Sequence, residues 1–128
     1  MSSVSYNGVA DNCIDGDVET GCHSNHGGEE NPWLRVDLGT TKQVSEVYIY
    51  NRPDACGSRL GAYEIWLGLD GTMKQCASAG SGGDLSCREK TGAGPIKNAC
   101  VGAAQYVELR LPGDARLLNI KDMAVYAS

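Results

Sequence analysis

The sequence has no phenylalanine, and aromatic residues make up only 6% of its 128 positions. Its apolar runs are short and 17 residues are glycine, which argues against long helices and favours many turns that join short strands. A chain of this length suffices for one domain with a real core but not for two. The composition therefore predicts an all-β fold in a single domain that spans residues 1–128.

An excess of basic charge is also absent, because 16 aspartates and glutamates outnumber 11 lysines and arginines, for a formal net charge of −5. Binding to nucleic acid or to an anionic membrane needs a basic surface, so we expect neither partner. No stretch approaches the roughly 20 apolar residues of a transmembrane segment. No basic start followed by an apolar run precedes the domain, which predicts a mature fragment or an excised domain.

Cys-x-x-Cys pairs are missing too, although the chain has six cysteines. An even set of this size is unusual in a reducing compartment and predicts disulfides in an extracellular setting. The sequence does not say which cysteines pair. Cys22 and His23, with Cys13 and His26 nearby, form the one cluster that resembles a metal site, and we regard structural zinc there as a minor alternative.

Alternation of apolar and polar residues is typical of half-buried strands. It predicts strands at 33–38, 44–50, 63–67 and 107–111, with a turn at 39–42 and a last strand over roughly 120–126. Residues 1–9 are expected to form a loose tail, and residues 72–102 alternate only weakly. Five or more antiparallel strands with long loops at one end predict a β-sandwich or jelly roll.

Two arginines flank an aspartate between two of these predicted strands. Arg52 and Arg59 offer forks of donors without acceptors, which suits an oxygen-rich ligand, and Asp54 can orient a fork and offset its charge. An isolated Arg-x-Asp is more often a surface ion pair that stiffens a turn. The local sequence leaves both interpretations open.

Two other loops concentrate polar groups. Residues 11–19 are dense in oxygen atoms, with Gly16 placed for a tight turn, so they are either a cation-binding loop or a solvated acidic turn. They lack the ligand series of an EF-hand. The only histidines, His23 and His26, share the next loop. An imidazole offers a donor and an acceptor to a sugar hydroxyl, although a single histidine is more often a surface or capping residue.

Several segments together resemble the F-type lectins, the fucose-binding branch of the discoidin-like (F5/8 type C-like) galactose-binding-fold superfamily. They are residues 10–17 (ADNCIDGD), 31–39 (NPWLRVDLG), 51–54 (NRPD), 61–65 (GAYEI) and 116–126 (RLLNIKDMAVY). The resemblance covers nearly the whole chain. It implies a non-catalytic lectin module of a larger extracellular or cell-surface protein, with a fucosylated glycan or similar saccharide as its partner.

The family's sugar motif is a histidine followed at long spacing by Arg-x-Asp-x4-Arg or Lys. Arg52, Asp54 and Arg59 match its second half. The resemblance implies that the arginines bond the ring oxygen and hydroxyls of the sugar while Asp54 orients them. His23 and His26 both stay candidates for the histidine, because neither has the usual spacing.

Many family members have adjacent cysteines after the aspartate, which form a vicinal disulfide against the sugar. This chain has alanine followed by Cys56 at that point, so the platform is absent. Cys76 and Cys100 match a family disulfide, which leaves four cysteines unassigned: Cys13, Cys22, Cys56 and Cys87.

The resemblance also implies a structural calcium ion beside the histidine loop. Its side-chain ligands would be Asn12, Asp15, Asp17 and Asp122. Backbone carbonyls near Thr20 would complete the shell, and the ion would order the neighbouring loop without taking part in chemistry.

Two other functions stay open. A discoidin-like adhesion domain could bind a protein or a lipid head group without fucose specificity, and the missing adjacent cysteines favour it. An enzyme would need two converging carboxylates or a Cys-His pair. The candidates for these are Cys22 with His23 and Glu29 with Glu30.

Overall fold

The computed structural model describes residues 1–4, 8, 10–17, 19–25 and 27–128. Within these ranges the chain forms seven strands and two short 3-10 helices. In chain order they are η1 (Ala10–Cys13), β1 (Cys22–His23), β2 (Trp33–Tyr50), η2 (Ala55–Arg59), β3 (Tyr63–Gly68), β4 (Lys74–Ala79), β5 (Ile96–Arg110), β6 (Asn119–Ile120) and β7 (Asp122–Ala127). None of the described helices is long and apolar enough to cross a membrane.

The long strands β2 and β5 organise the fold. Five strands pair antiparallel in the order β4-β3-β5-β2-β7, and β1 pairs with β6. The first half of β2 pairs with the end of β5, and the end of β5 also pairs with β3 on its other side. The second half of β2 pairs with the start of β5 and with β7. Shifts in register separate the two halves, as expected where β-bulges bend a strand.

Among the described residues, the buried apolar side chains form a core cluster to which these strands contribute. The strand residues at its centre are less than 2% exposed; they are Leu34, Val44, Val47, Ile49, Ile65, Val107 and Leu109. They alternate with outward-facing residues, because successive side chains of a strand point to opposite faces. The predicted all-β antiparallel sandwich is confirmed.

The predicted turn at residues 39–42 is wrong, because β2 continues through it. Asp37 pairs with Tyr106 and Lys42 with Ala104, so the extra residues are absorbed as a bulge. Gly39 adopts φ 86° there, a conformation that glycine reaches without strain. The chain bends at this point and does not reverse.

Strand β4 and the first half of β5 were not expected in the weakly alternating segment. Their alternation is hard to recognise, because the inward position Asn98 is polar and the outward position Val101 is apolar. Asn98 is nonetheless buried, and its Oδ1 accepts a hydrogen bond from the Tyr63 hydroxyl at 2.7 Å. A buried partner makes the polar residue compatible with the core.

All six cysteines form disulfides, which link Cys13 to Cys22, Cys56 to Cys87 and Cys76 to Cys100. The third pair is the one that the family resemblance implies. The first pair leaves neither of its sulfur atoms as a thiolate, so the minor zinc alternative is wrong. The second pair fastens residue 87 to the helix that ends at Arg59.

Part of the N-terminal segment is attached to the domain. The Ser2 amide donates to the Trp33 carbonyl at 3.0 Å, and the Ser2 and Ser3 hydroxyls both donate to Glu29. Residues 5–7 and 9 lie outside the described residues, so the loose tail at 1–9 stays a prediction.

Arg116 holds the loops together at one end of the sandwich. It is only 4% exposed, and its guanidinium donates to the carbonyls of Pro112, Leu60 and Ala62 at 2.7, 2.6 and 2.9 Å. A buried carbonyl that loses its donor is costly. We therefore expect this side chain to contribute strongly to stability.

Replacing Arg116 with lysine tests this role, because an ammonium group cannot reach all three carbonyls. We expect Arg116→Lys to lower the free energy of unfolding by about 2–3 kcal/mol in urea denaturation. The control is Arg88→Lys, whose side chain is 69% exposed and pairs with Asp84; it should cost less than about 1 kcal/mol. Equal losses in the two variants would contradict the assignment.

Candidate functional site

The arginine loop begins where β2 ends. Asp54 is the N-cap of η2, with its Oδ1 accepting from the Cys56 amide at 3.1 Å. The same carboxylate accepts two hydrogen bonds from Arg52, at 3.0 Å from Nε and 2.6 Å from Nη2. Such a paired contact fixes the plane of the guanidinium. One aspartate thus starts the helix and orients the arginine.

Asp54 stays ionised in this arrangement. Its hydrogen bonds from Arg52 lower the pKa of the carboxyl, and the nearby positive charge acts in the same direction. The Asp54 side chain is 52% exposed, so solvent screens the pair. The consequence is geometric: Arg52 is held in one orientation at neutral pH.

Asn119 joins the two arginines. Its Oδ1 accepts from Nη1 of Arg52 at 2.7 Å and from Nη1 of Arg59 at 3.3 Å. Its Nδ2 donates to the Cys22 carbonyl at 2.9 Å, and the residue is 6% exposed. The amide therefore connects the arginine loop to the strand that contains His23.

Sequence reasoning did not identify Asn119 as a site residue. The signal available was a single amide inside the apolar run Leu117, Leu118 and Ile120, all of which are buried. A buried amide needs partners, but nothing in the sequence indicates that its partners are the arginines.

The two arginines differ in exposure. The Arg52 side chain is 24% exposed and makes three hydrogen bonds, which leaves further N–H donors of its fork for a ligand. Arg59 is only 9% exposed, and its Nε donates to the Leu85 carbonyl at 3.1 Å. A Cβ atom at Gly28 would lie 2.4 Å from Leu85 Cδ2, so Leu85 also packs against the histidine loop.

His23 lies beside this cluster. It pairs with Asn119 across β1 and β6 and is 8% exposed. Its Nδ1 lies 2.6 Å from the Ser24 carbonyl, which can only accept, so Nδ1 is the protonated nitrogen. In the neutral ring Nε2 is then the acceptor. His26 lies outside the described residues, so the choice between the two histidines stays open.

Oxygen atoms converge in the acidic loop that precedes β1. The Thr20 hydroxyl lies 3.1 Å from the Asn12 carbonyl, 2.9 Å from the Asp17 carbonyl and 2.8 Å from Asp15 Oδ2. A hydroxyl has one proton and can donate to only one of them. Such an excess of oxygen acceptors suits a hard cation.

Asp122 faces this loop from the start of β7. It is 5% exposed, and the Gly16 amide donates to its Oδ1 at 3.4 Å. Burial raises the pKa of this carboxyl, and the charges of Asp15 and Asp17 raise it further. Within the described ranges no three histidine, cysteine or acidic side chains are close enough together to hold a metal. An ion here would therefore depend on carbonyl and hydroxyl oxygens.

Comparison with known proteins supports the fold and the resemblance. A family model described as NedA-like, galactose-binding domain, of F5/F8 type C, matches residues 12–109. A fucolectin of Anguilla anguilla is 39% identical over 66 residues, which is 48% of this chain and 42% of the relative. The chain therefore spans less than half of that protein's length.

Solved structures agree over almost the whole chain. The F-lectin (fucolectin) from striped bass (Morone saxatilis) serum superimposes with a TM-score of 0.82 at 26% identity, covering 99% of this chain and 44% of that one. The lectin domain of lectinolysin, solved in complex with Lewis B antigen, has a TM-score of 0.78 at 26% identity, with coverages of 99% and 89%. The predicted resemblance to F-type lectins is confirmed.

The bridging role of Asn119 can be tested by measuring the stability of variants at this position. In Asn119→Ala both arginines lose an acceptor and the Cys22 carbonyl loses its donor, so we expect the free energy of unfolding to fall by about 2–4 kcal/mol in urea denaturation. Asn119→Asp keeps the acceptor for both guanidinium groups and is expected to lose less. If aspartate and alanine prove equally destabilising, the acceptor role of Asn119 is wrong.

Proposed function

The chain belongs to the NedA-like galactose-binding domain family of F5/F8 type C domains, and from this premise we propose that it is a non-catalytic carbohydrate-binding lectin module. Its ligand is a terminal fucose or a similar sugar. The observation that carries this proposal is the convergence of Arg52 and Arg59 on Asn119, next to the strand that contains His23. These arginines are the residues that match the sugar motif of F-type lectins.

Arg52 makes the principal contact in this proposal. Its fork is fixed by Asp54 and Asn119, and its remaining N–H donors address the ring oxygen and vicinal hydroxyls of the sugar. Hydrogen bonds from a charged donor to a neutral acceptor are stronger than neutral pairs. A sugar with a misplaced hydroxyl would leave these donors unpaired, which is the physical basis of selectivity.

The other residues of the proposed motif are Arg59 and a histidine. Arg59 is nearly buried and contributes from the floor of the site. His23, whose Nδ1 lies 2.6 Å from the Ser24 carbonyl, is one candidate for the histidine of the motif. His26 is the alternative for that role.

A single site of this kind binds weakly and becomes useful through multivalency. We therefore propose that the domain is one module of a larger protein. Three disulfides in a domain of this size are typical of an oxidising environment, which supports an extracellular or cell-surface location.

We also propose a structural calcium ion at the acidic loop, with Asn12, Asp15, Asp17 and Asp122 as its candidate side-chain ligands. Because the acidic side chains are too far apart to hold a metal by themselves, the Asn12 and Asp17 carbonyls and the Thr20 hydroxyl would have to contribute oxygen ligands. When bound, the ion would supply positive charge between the acidic loop and β7. The Cys13–Cys22 disulfide joins that loop to the strand of His23. Ordering the loop would therefore help to hold the histidine beside the arginines.

The other functions considered receive less support. An adhesion domain that binds a protein or a lipid head group is favoured by the missing adjacent cysteines and by the burial of Arg59, which limits the contact of this arginine with a sugar. Catalysis by Cys22 is excluded by its disulfide with Cys13. The Glu29 carboxylate accepts hydrogen bonds from the hydroxyls of Ser2 and Ser3, as expected of a structural residue.

Sugar binding can be measured on a glycan array. We expect the wild-type domain to bind fucosylated glycans and Arg52→Ala to lose at least about tenfold in affinity, because charged donors to the sugar are removed. Arg110→Ala, which removes an arginine stacked on Trp66 away from the site, is the matched control and should bind normally. A wild type that binds no fucosylated glycan would refute the proposal. His23→Ala and His26→Ala, made singly, identify the histidine involved.

The cation site can be tested by thermal unfolding with calcium and with EDTA. The folded-state pKa of Asp122 is raised, so without a cation stability falls as pH rises from the ordinary carboxyl pKa through the folded value. Asp122→Asn removes this penalty. We therefore expect the variant to melt higher than the wild type in EDTA at neutral pH, whereas only the wild type gains stability from calcium.

The exposed Asp114→Asn is the matched control for this experiment. It should respond to calcium as the wild type does. A wild-type melting temperature that is the same with and without calcium would rule out the cation site.

A further inference from the structure

A long exposed loop connects β4 to β5. All ten residues from 86 to 95 are exposed, and residues 87–95 form no helix or strand. The Arg88 amide donates to the Ser58 hydroxyl at 3.0 Å, and the Ala93 carbonyl accepts from the Asn51 amide at 2.8 Å, so the loop is anchored on both sides of its middle. Exposed polar loops are the preferred sites of proteolytic cleavage.

The middle of this loop has the fewest contacts. Glu89 and Lys90 form no hydrogen bond or ion pair with any residue that the structure describes. The next residue, Thr91, is held only by Asn51, whose Nδ2 donates to its hydroxyl at 3.2 Å. Local opening costs least where few contacts must be broken. The backbone around Lys90 can therefore enter the cleft of a protease while the sheets stay folded.

Lys90 differs from the other basic residues of the chain. Five of them lie in strands, where pairing holds the backbone; they are Arg35, Lys42, Lys74, Lys97 and Arg110. The remaining five are buried, half-buried or paired with a carboxylate; they are Arg52, Arg59, Arg88, Arg116 and Lys121. Among the described residues, only Lys90 combines a basic side chain that is exposed and unpaired with a backbone outside the strands.

We propose that the Lys90–Thr91 peptide bond is a processing site for an endoprotease of trypsin-like specificity. Such enzymes bind a basic side chain against a carboxylate in a deep pocket, which requires a side chain that can leave the protein surface. Hydrolysis breaks the C–N bond of the peptide. Water supplies a hydroxyl group to the Lys90 carbonyl carbon and a proton to the Thr91 nitrogen, so the products are a carboxyl end and an amino end.

The cleaved domain remains one covalent molecule. Cys76 lies in the first fragment and Cys100 in the second, so their disulfide joins residues 1–90 to residues 91–128. The other two disulfides lie within the first fragment. Strands β5 and β7 of the second fragment stay paired with β2 and β3 of the first. Processing therefore yields a two-chain domain held by one disulfide and by the sheet.

Cleavage distributes the arginine site over two chains. Arg52 and Arg59 belong to the first fragment, whereas Asn119, which accepts from both, belongs to the second. The loop before the cut stays fastened by the disulfide of Cys87 and by the Leu85 carbonyl, which accepts from Arg59. The contacts that assemble the site are thus kept in the two-chain form. The cleavage itself does not depend on sugar binding, so the two can fail separately.

Brief digestion of the folded domain with trypsin tests the processing site. We expect mass spectrometry of the new ends to place the first cut after Lys90, with one band on a non-reducing gel and two fragments after reduction. Lys90→Gln should slow the first cut at least about tenfold, because a neutral amide does not pair with the carboxylate of the protease pocket. The matched control is Arg88→Gln in the same loop, whose arginine is held by Asp84. It should slow the first cut by no more than about twofold.

A second control is Lys97→Gln, which changes an exposed lysine of β5 and should leave the rate unchanged. A first cut after any other residue, or equal slowing in Arg88→Gln and Lys90→Gln, would overturn the assignment. The same holds if the cleavage rate rises with urea as steeply as the unfolded fraction does, because cleavage would then require global unfolding. Fragments that separate without a reductant would refute the two-chain form.

Discussion

The site depends on one shared acceptor, the side-chain oxygen of Asn119. Two guanidinium groups would repel each other if they met alone, and the amide oxygen between them gives both a common partner without adding a charge. Asp54 supplies the one carboxylate and holds Arg52 in plane. The two guanidinium groups and one carboxylate therefore keep a net positive charge, which is the charge that the proposed sugar ligand would meet.

Asn119 also explains how distant loops meet. Through the Cys22 carbonyl and the pairing of β1 with β6, it connects the arginine loop to the loop of His23. The Cys13–Cys22 disulfide extends this connection to the acidic loop proposed to hold calcium. A short chain of covalent and hydrogen bonds thus links the arginines to the acidic loop.

The lost vicinal disulfide has a structural counterpart. Cys56, which stands alone after Asp54 and Ala55, pairs with Cys87 and brings the following loop onto η2. That loop places the Leu85 carbonyl on Arg59 and the Leu85 side chain on Gly28. The loop fastened by Cys87 thus contacts both Arg59 and the histidine loop.

The sequence by itself determined the features that depend on residues close together along the chain. Alternation located the strands around Leu34, Ile49 and Ile65 because burial of every second residue leaves a local pattern. Arg52 and Asp54 are close enough along the chain to pair without the rest of the fold. Alternation did not locate the strand residues near Asn98 and near the bulge at Gly39. The residues that pair with these positions are far away in the sequence, so the local pattern does not show that they belong to strands.

Only the tertiary structure decided the contacts made over long separations. Asn119 lies 67 residues from Arg52 and 60 from Arg59, and the disulfide of Cys56 spans 31 residues. Such contacts follow from how sheets and loops pack, and no local pattern records them. The arginines were visible in the sequence, whereas the amide that makes them one site became visible only in the fold.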